Sequence, residues 1–467
     1  MSNKVSTKPP SGMRDFLPAD IARRRHVTGI VREVYEGHGF VPLETPSIEN
    51  LSTLLGKYGD EGDQLLFRLL HRRDALTRRV DKAAAENRSV TEADLADQGL
   101  RYDLTVPLAR VVAQYGELPR FFRRYQIQPV WRADRPARGR YREFYQCDVD
   151  VVGTTSQLAE ADVCSAVATA LERLGFTDFT IRLNHRELLR SLIRAAGIDD
   201  ELESTALVAV DKLDKIGRDG VLEELTGRAI SKDSATRLLE ILAPPESTNA
   251  AAADNAGRNR ATLAHLAGCG LDDSGQQAVA ALEELLALCA ETVAGDHLVL
   301  APELARGLSY YTGPIFEIAV PDLAGSLGGG GRYDGLIGMF GRKQIPAVGF
   351  SLGLERIILV MTEREMYPDL GIGAELMLCW MNVDRHRLMG VATRLRAQGL
   401  RVEVFPDKAK LGKQLQYADA IGADFAAIVG ESELDAGQVT LKYLAAGGQE
   451  TVAIAETAAA MARLRGG

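Results

Sequence analysis

Disulfide chemistry has little to work with in this chain. Its five cysteines, Cys147, Cys164, Cys269, Cys289 and Cys379, are scattered without a CxxC spacing. An odd number at irregular intervals fits reduced thiols and a cytoplasmic location better than a disulfide framework. The seven histidines are equally scattered, and without an HExxH or HxxxH pair they offer no dedicated metal site. No apolar run reaches the length that a bilayer-spanning helix needs, so no membrane association is expected. The polar, proline-containing start, MSNKVSTKPPSGMRDFLP, shows no apolar core of a secretory signal. Net positive charge is missing too: 55 basic residues face 64 acidic ones, a net charge of -9. That balance argues against indiscriminate nucleic-acid binding and leaves room for a local basic surface.

The 467 residues, 46% hydrophobic and 25% charged, have globular composition and exceed one ordinary core. A helical pattern over IARRRHVTGIVREVYEGHG has apolar residues on one side and stops at Gly39. FVPLETPSIE reads as a strand whose Pro42 and Pro46 suit an edge position. Residues 70–98 are charged and alanine-rich, and predict a helical surface insertion or a mobile loop. RRYQIQPVWRA and REFYQCDVDVV have the period of paired strands, joined by ADRPARGRY. A helix over 157–174 and a strand in FTDFTIRLNH follow. Residues 186–292 read as a helical insertion, interrupted by LAPPESTNAAAADNAGRNR as a loop. Strands return with HLVLAPELARGLSYYTGPIFEIAV, then a glycine turn GSLGGGG, then a strand and helix in PAVGFSLGLERIILVM. A linker near TEREMYPDLGIG precedes about ninety residues of strand–helix alternation, a small α/β domain.

One stretch stands apart. WRADRPARGRYREFYQ, residues 131–146, carries five arginines, and the window 120–142 holds eight with no lysine and only Asp134 in opposition. Guanidinium forks favour planar, bidentate recognition of phosphate or carboxylate. On strands and their connection the arginines can converge on one ligand, and a nucleotide would match forks to phosphates and aromatic rings to a base. The competing reading is a surface ion-pair ladder with Asp134, Glu143 and Asp148. GSLGGGGRYDG matches no phosphate-binding loop pattern, and reads as a crowded turn that another backbone or a ligand approaches. In RGLSYYTG, alternation along a strand places Tyr310 and Tyr311 on opposite faces, one in the core and one lining a pocket.

Taken together, SGMRDFLP, GFVPLETPSIE, LRYDLTVP, WRADRPARGRYREFYQCDVDVVG, RGLSYYTG and PAVGFSLGLERI resemble the class II aminoacyl-tRNA synthetases, and specifically the histidyl-tRNA synthetase family. KLGKQLQYADAIGADFAAIVGE is similar to that family's anticodon-binding domain. The resemblance implies an α+β fold: an antiparallel sheet with flanking helices, a helical insertion and a C-terminal α/β anticodon-binding domain. Its divisions would be 1–185 and 293–362 for the catalytic domain, 186–292 for the insertion, and 373–467 for the anticodon-binding domain. It implies ATP-dependent formation of histidyl-adenylate and transfer to the 3′-terminal adenosine of histidine tRNA by a homodimer. ATP would enter with Mg²⁺, without a bound organic cofactor.

Residue by residue, the resemblance puts Arg132 on the ATP α-phosphate with Arg306 opposite. Arg140 and Arg356 would hold the outer phosphates and Phe144 would stack on adenine. Asp103 and Gln146 would hold the histidine ammonium, Asp150 and Tyr311 would meet the imidazole, and Tyr310 and Tyr333 would complete the pocket beside Arg306. Lys408, Lys410 and Lys413 are candidates for tRNA contact. Ser309 departs from the family's usual Asp, and residues 70–98 exceed the usual connection. A shortened regulatory relative, the synthetase-like subunit of ATP phosphoribosyltransferase, is the rival; this chain keeps the arginines and the C-terminal tail. A synthetase-like sensor within a kinase would need flanking kinase motifs, and none are present.

Overall fold

The computed structural model describes residues 6–243, 254–305, 310–341, 343–445 and 447–466. The chain divides into two compact units, one of Met1–Phe16 with Arg23–Tyr367, the other of Pro368–Gly467 with Leu17–Ala22. Among the described residues, no helix is long and apolar enough to cross a membrane.

The first unit is built on an eight-stranded sheet. At one edge lies β1 (Val41–Pro42), short and parallel to β5 (Phe122–Trp131). The prolines of FVPLETPSIE leave it two residues long, as an edge strand lacking amide donors should be. Next come β6 (Glu143–Val152), β11 (Ala347–Gly353), β10 (Gly328–Arg332), β9 (Pro314–Ala319) and β7 (Thr180–His185), each antiparallel to its neighbour. The far edge is β8 (Leu298–Leu300), parallel to β7. The expected glycine turn is therefore a central strand. Its glycines are needed because β11 lies so close: a Cβ on Gly330 would sit 2.1 Å from the Gly349 carbonyl oxygen. The crowding was legible, and the extended backbone was not.

A second, three-stranded antiparallel sheet joins β2 (Ile48–Asn50), β4 (Ala96–Leu100) and β3 (Arg68–Leu70). The segment 70–98 is thus an excursion between two paired strands, carrying a helix at Asp74–Ala85. Helices dominate Arg186–Ala290 and bury Leu188, Leu192, Leu282 and Leu285 in the same continuous core as Val163, Leu183 and Phe316. Part of the loop expected there is helix, Asn255–Ala267, because the Asp254 carboxylate accepts from the Gly257 amide and caps it. The other part, 244–253, lies outside the described residues.

In the second unit, β13 (Val402–Val404), β12 (Leu376–Trp380) and β14 (Phe425–Val429) are parallel, and β15 (Gln438–Tyr443) and β16 (Gln449–Ala453) complete a mixed sheet. The three sheets with their flanking helices match the expected α+β fold class.

Candidate active site

The ten-residue ladder between β5 and β6 decides which side chains meet. Arg124, Gln126 and Gln128 of β5 stand opposite Asp150, Asp148 and Gln146 of β6. On the other side of β6, Gly349, Ser351 and Gly353 of β11 face the same three residues. Since alternate strand residues share a face, these positions form one polar stripe across the middle of the sheet. It is deeply buried: Arg124, Asp148 and Asp150 are 0–2% exposed.

Burial of this kind is tolerated only when the charges are paired. Arg124 reaches Asp150 at 2.9 Å, and the Tyr333 hydroxyl donates to the same carboxylate. Desolvation nevertheless raises the Asp150 pKa, opposed by Arg124 and Tyr333. Asp148 is pushed up to about 7, first by burial and then by its neighbour Asp150, with Arg124 pulling it down. The close fit explains Gly349, where a Cβ would lie 1.9 Å from Asp150 Oδ1. Gln146 donates to Ser351 Oγ at 2.6 Å, while its buried Oε1 has no protein donor.

Asp103 closes one side of this region. Its Oδ1 accepts from the Val106 amide at 3.0 Å and the Tyr58 hydroxyl at 3.3 Å, and its Oδ2 accepts from the Tyr310 hydroxyl at 3.3 Å. Burial raises its pKa, with these hydrogen bonds and the Arg132 charge acting against the shift. The tyrosines form a cluster, with Tyr310 centred 5.0 Å from Tyr311 and 6.1 Å from Tyr333. The expectation that Tyr310 and Tyr311 alternate across a strand fails, because strand structure begins only at Pro314 and both rings are buried. A Cβ on Gly331 would come within 2.7 Å of the Tyr311 ring, so β10 contributes room here as well.

Arg132 follows β5 directly. Its Nε donates to the Tyr102 carbonyl at 3.1 Å, and its guanidinium lies 4.2 Å from the Tyr102 ring centre and 5.2 Å from that of Phe144. Tyr102 in turn packs on Tyr58 at 4.5 Å. Aromatic faces thus orient this cation, and among the described residues no carboxylate pairs with it. Three other arginines of the run are engaged by carboxylates. Arg123 pairs with Asp162, Arg138 with Glu363, and Arg140 with Asp134 at 2.7 Å. Strand alternation sends Arg123 and Arg124 to opposite faces, and the loop arginines find carboxylates of their own. Arg356, in the helix Leu354–Glu363, donates to the carbonyls of Ser326 and Gly139, tying the 133–142 loop to the 320–327 turn. Arg306 and Ser309 lie outside the described residues.

Tyr58, Arg101 and Ser351 were not singled out from the sequence, while Arg124 was counted only as part of the arginine run and Asp148 only as an ion-pair partner. The pairing of Arg124 with Asp148 and Asp150 was available from the period-2 register of RYQ against DVD. Arg101 is buried beside Asp103, bonding the carbonyls of Thr45 and Pro129 at 2.6 and 2.8 Å, a role that no local pattern signals.

The family model for histidyl-tRNA synthetase matches residues 69–357, and a model for an anticodon binding domain matches residues 379–464. The histidine–tRNA ligase of Cytophaga hutchinsonii is 41% identical over 454 residues, spanning 96% of this chain and 97% of that protein. The chain belongs to the histidyl-tRNA synthetase family. A crystal structure of the histidyl-tRNA synthetase from Nostoc sp. PCC 7120 has a TM-score of 0.78 at 28% identity, covering 99% of this chain and 100% of that one. A Bacillus halodurans structure described as an ATP phosphoribosyltransferase regulatory subunit/histidyl-tRNA synthetase shares the fold with a TM-score of 0.71 at 22% identity, covering 92% and 99%. In this family member the second unit contains the anticodon-binding domain. There Lys408, Lys410 and Lys413 are all exposed, at and just before the helix Leu411–Ala420.

Proposed function

We propose that this chain activates histidine with ATP to histidyl-adenylate and transfers the histidyl group to the 3′-terminal adenosine of histidine tRNA. The observation that carries the reading is the buried stripe of Gln146, Asp148 and Asp150 beside Asp103. It concentrates acceptors in a pocket walled by tyrosines, adjoining Arg132, which has no carboxylate partner among the described residues. A histidine ammonium between Asp103 and the partnerless Oε1 of Gln146 would satisfy both. The imidazole meets Asp150 and Tyr311, with Tyr310 and Tyr333 closing the pocket.

The histidine carboxylate, already an anion, attacks the α-phosphorus of ATP. A bond forms from carboxylate oxygen to phosphorus as the bond to pyrophosphate breaks, so no general base is required. Arg132 and Arg306 stabilise the negative charge that gathers on the pentacovalent phosphorus. Phe144 carries the adenine, and Arg140 and Arg356 hold the outer phosphates. Arg140 exchanges Asp134 for phosphate in doing so. Its side chain is 54% exposed, though that of Asp134 is only 11% exposed, so the pair it gives up is a half-buried one. ATP would enter as its Mg²⁺ complex, the ion offsetting phosphate charge with few ligands from the protein. The adenosine hydroxyl of tRNA then attacks the acyl carbon and AMP leaves, a step governed mainly by positioning. Lys408, Lys410 and Lys413 contact the tRNA, and the active species is a cytoplasmic homodimer. Residues 1–185 and 293–362 carry the catalysis, 186–292 form the insertion and 373–467 the anticodon-binding domain.

Charging of histidine tRNA with labelled histidine tests the reading. Charging by histidine alone among the amino acids is expected. Tight histidine binding with no adenylate and no charging would assign the chain to the regulatory class instead.

A further inference from the structure

The excursion between β3 and β4 has no part in the chemistry above. Residues 71–82 hold five basic side chains, Arg72, Arg73, Arg78, Arg79 and Lys82, against two carboxylates, in a chain of net charge -9. All five are exposed, and the helix Asp74–Ala85 buries only Ala83. Among the described residues, none of the four arginines forms an ion pair, and Lys82 approaches Glu86 only at 3.8 Å. Arg78 and Lys82 stand four residues apart on one flank, with Arg79 beside them. Like charges at that spacing weaken a helix, a cost partly offset by Asp74 in its first turn and Lys82 in its last.

The base of the excursion is part of the wall of the active site. The Leu65 carbonyl accepts from the Ala133 amide at 2.8 Å, next to Arg132. The Leu100 amide donates to the Phe67 carbonyl at 2.9 Å, and β4 then leads through Arg101 to Asp103. From Leu65 to Arg72 an extended chain covers at most about 23 Å. The basic side chains are exposed, so they face solvent, and the chain length keeps them near enough to meet a large polyanion whose end enters the pocket.

We propose that this face binds the sugar–phosphate backbone of the tRNA acceptor arm, positioning the 3′ end at Arg132 and Asp103. The proposal rests on the tRNA-charging reading above. Exposed arginines without carboxylate partners, on a scaffold fixed to the site by backbone hydrogen bonds, supply a sequence-independent grip on phosphates.

The test compares the wild type with a variant carrying Arg72→Gln, Arg73→Gln, Arg78→Gln and Arg79→Gln, and with one carrying lysine at the same four positions. Filter binding of histidine tRNA and steady-state charging are measured over a series of KCl concentrations. Histidine-dependent ATP–pyrophosphate exchange is measured without tRNA. The glutamine variant is expected to bind tRNA at least roughly tenfold more weakly at low salt. Its log–log salt dependence should be shallower by about 2.8 to 3.6, from about 0.7–0.9 for each of the four lost phosphate contacts. Exchange should be unchanged, and the lysine variant should bind much as the wild type does. Equal tRNA binding and salt slope in the wild type and the glutamine variant would overturn the proposal. Equal binding with loss of the dimer in sedimentation would also overturn it, and assign the face to a second copy of the chain. A wild type that binds tRNA without charging it would count against the charging reading alone.

Discussion

Replacing Tyr333 by Phe removes one hydroxyl from a fully buried ring and little else. That hydroxyl donates to Asp150, whose remaining charged partner is Arg124 at 2.9 Å. A hydrogen bond to a buried charge is worth about 1.5–3 kcal/mol, and its loss leaves an acceptor unsatisfied. Because Tyr333 also holds the Asp150 pKa down against desolvation, the variant favours the protonated, neutral acid. If Asp150 meets the imidazole, the pocket loses both orientation and charge. Taking the lower end of the range, because Arg124 still holds the carboxylate, gives roughly a tenfold rise in the KM for histidine. The KM for ATP should stay within about twofold if Tyr333 closes the amino-acid side of the pocket as proposed. Histidine and ATP titrations in ATP–pyrophosphate exchange, with thermal unfolding alongside, measure all three quantities. A variant that loses thermal stability with an unchanged histidine KM would refute the argument, leaving Asp150 as an anchor of the sheet without contact to substrate.

Two further perturbations probe the same stripe. Asp148 has a folded pKa near 7 and an unfolded one near 3.9, so the native state binds more protons between those values. Its contribution to stability is therefore greatest on the acid side and declines as pH rises from about 4 to 7. Denaturant unfolding of Asp148→Asn against wild type from pH 5 to 8 should show a flatter profile in the variant, and a parallel profile would contradict the assignment. Gly349→Ala would place a Cβ 1.9 Å from Asp150 Oδ1 and 2.6 Å from its Cγ, an overpacking cost of about 1–3 kcal/mol. A lower melting temperature and a raised histidine KM are expected from calorimetry and exchange kinetics, and wild-type values in both would show that the stripe yields freely.

Much of this architecture was legible because strand pairing leaves a period in the sequence. RRYQIQPVWRA against REFYQCDVDVV gave two long antiparallel strands, and their alternation contains the Arg124–Asp150 pairing. Where a signal was ambiguous, long-range packing decided. Four consecutive glycines look like a turn until β9 and β11 are placed on either side of them. The arginine run looks convergent until Asp134 within it, and Asp162 and Glu363 distant in sequence, claim three of its members. Tyr58 belongs to a segment with no local pattern pointing to Asp103, and only the fold brings the two together. NAGRNR reads as loop by composition, yet the Asp254 cap is enough to begin a helix there.

The central proposal is that histidine and ATP react beside Arg132, Asp103 and Asp150, with Arg306 stabilising the charge on the same phosphorus. Amino-acid-dependent ATP–pyrophosphate exchange by the wild type and by Arg306→Ala tests it most directly. The account predicts exchange with histidine alone and its collapse in the variant, with histidine binding still detectable. Undiminished exchange in Arg306→Ala, or wild-type exchange driven by another amino acid, would contradict it.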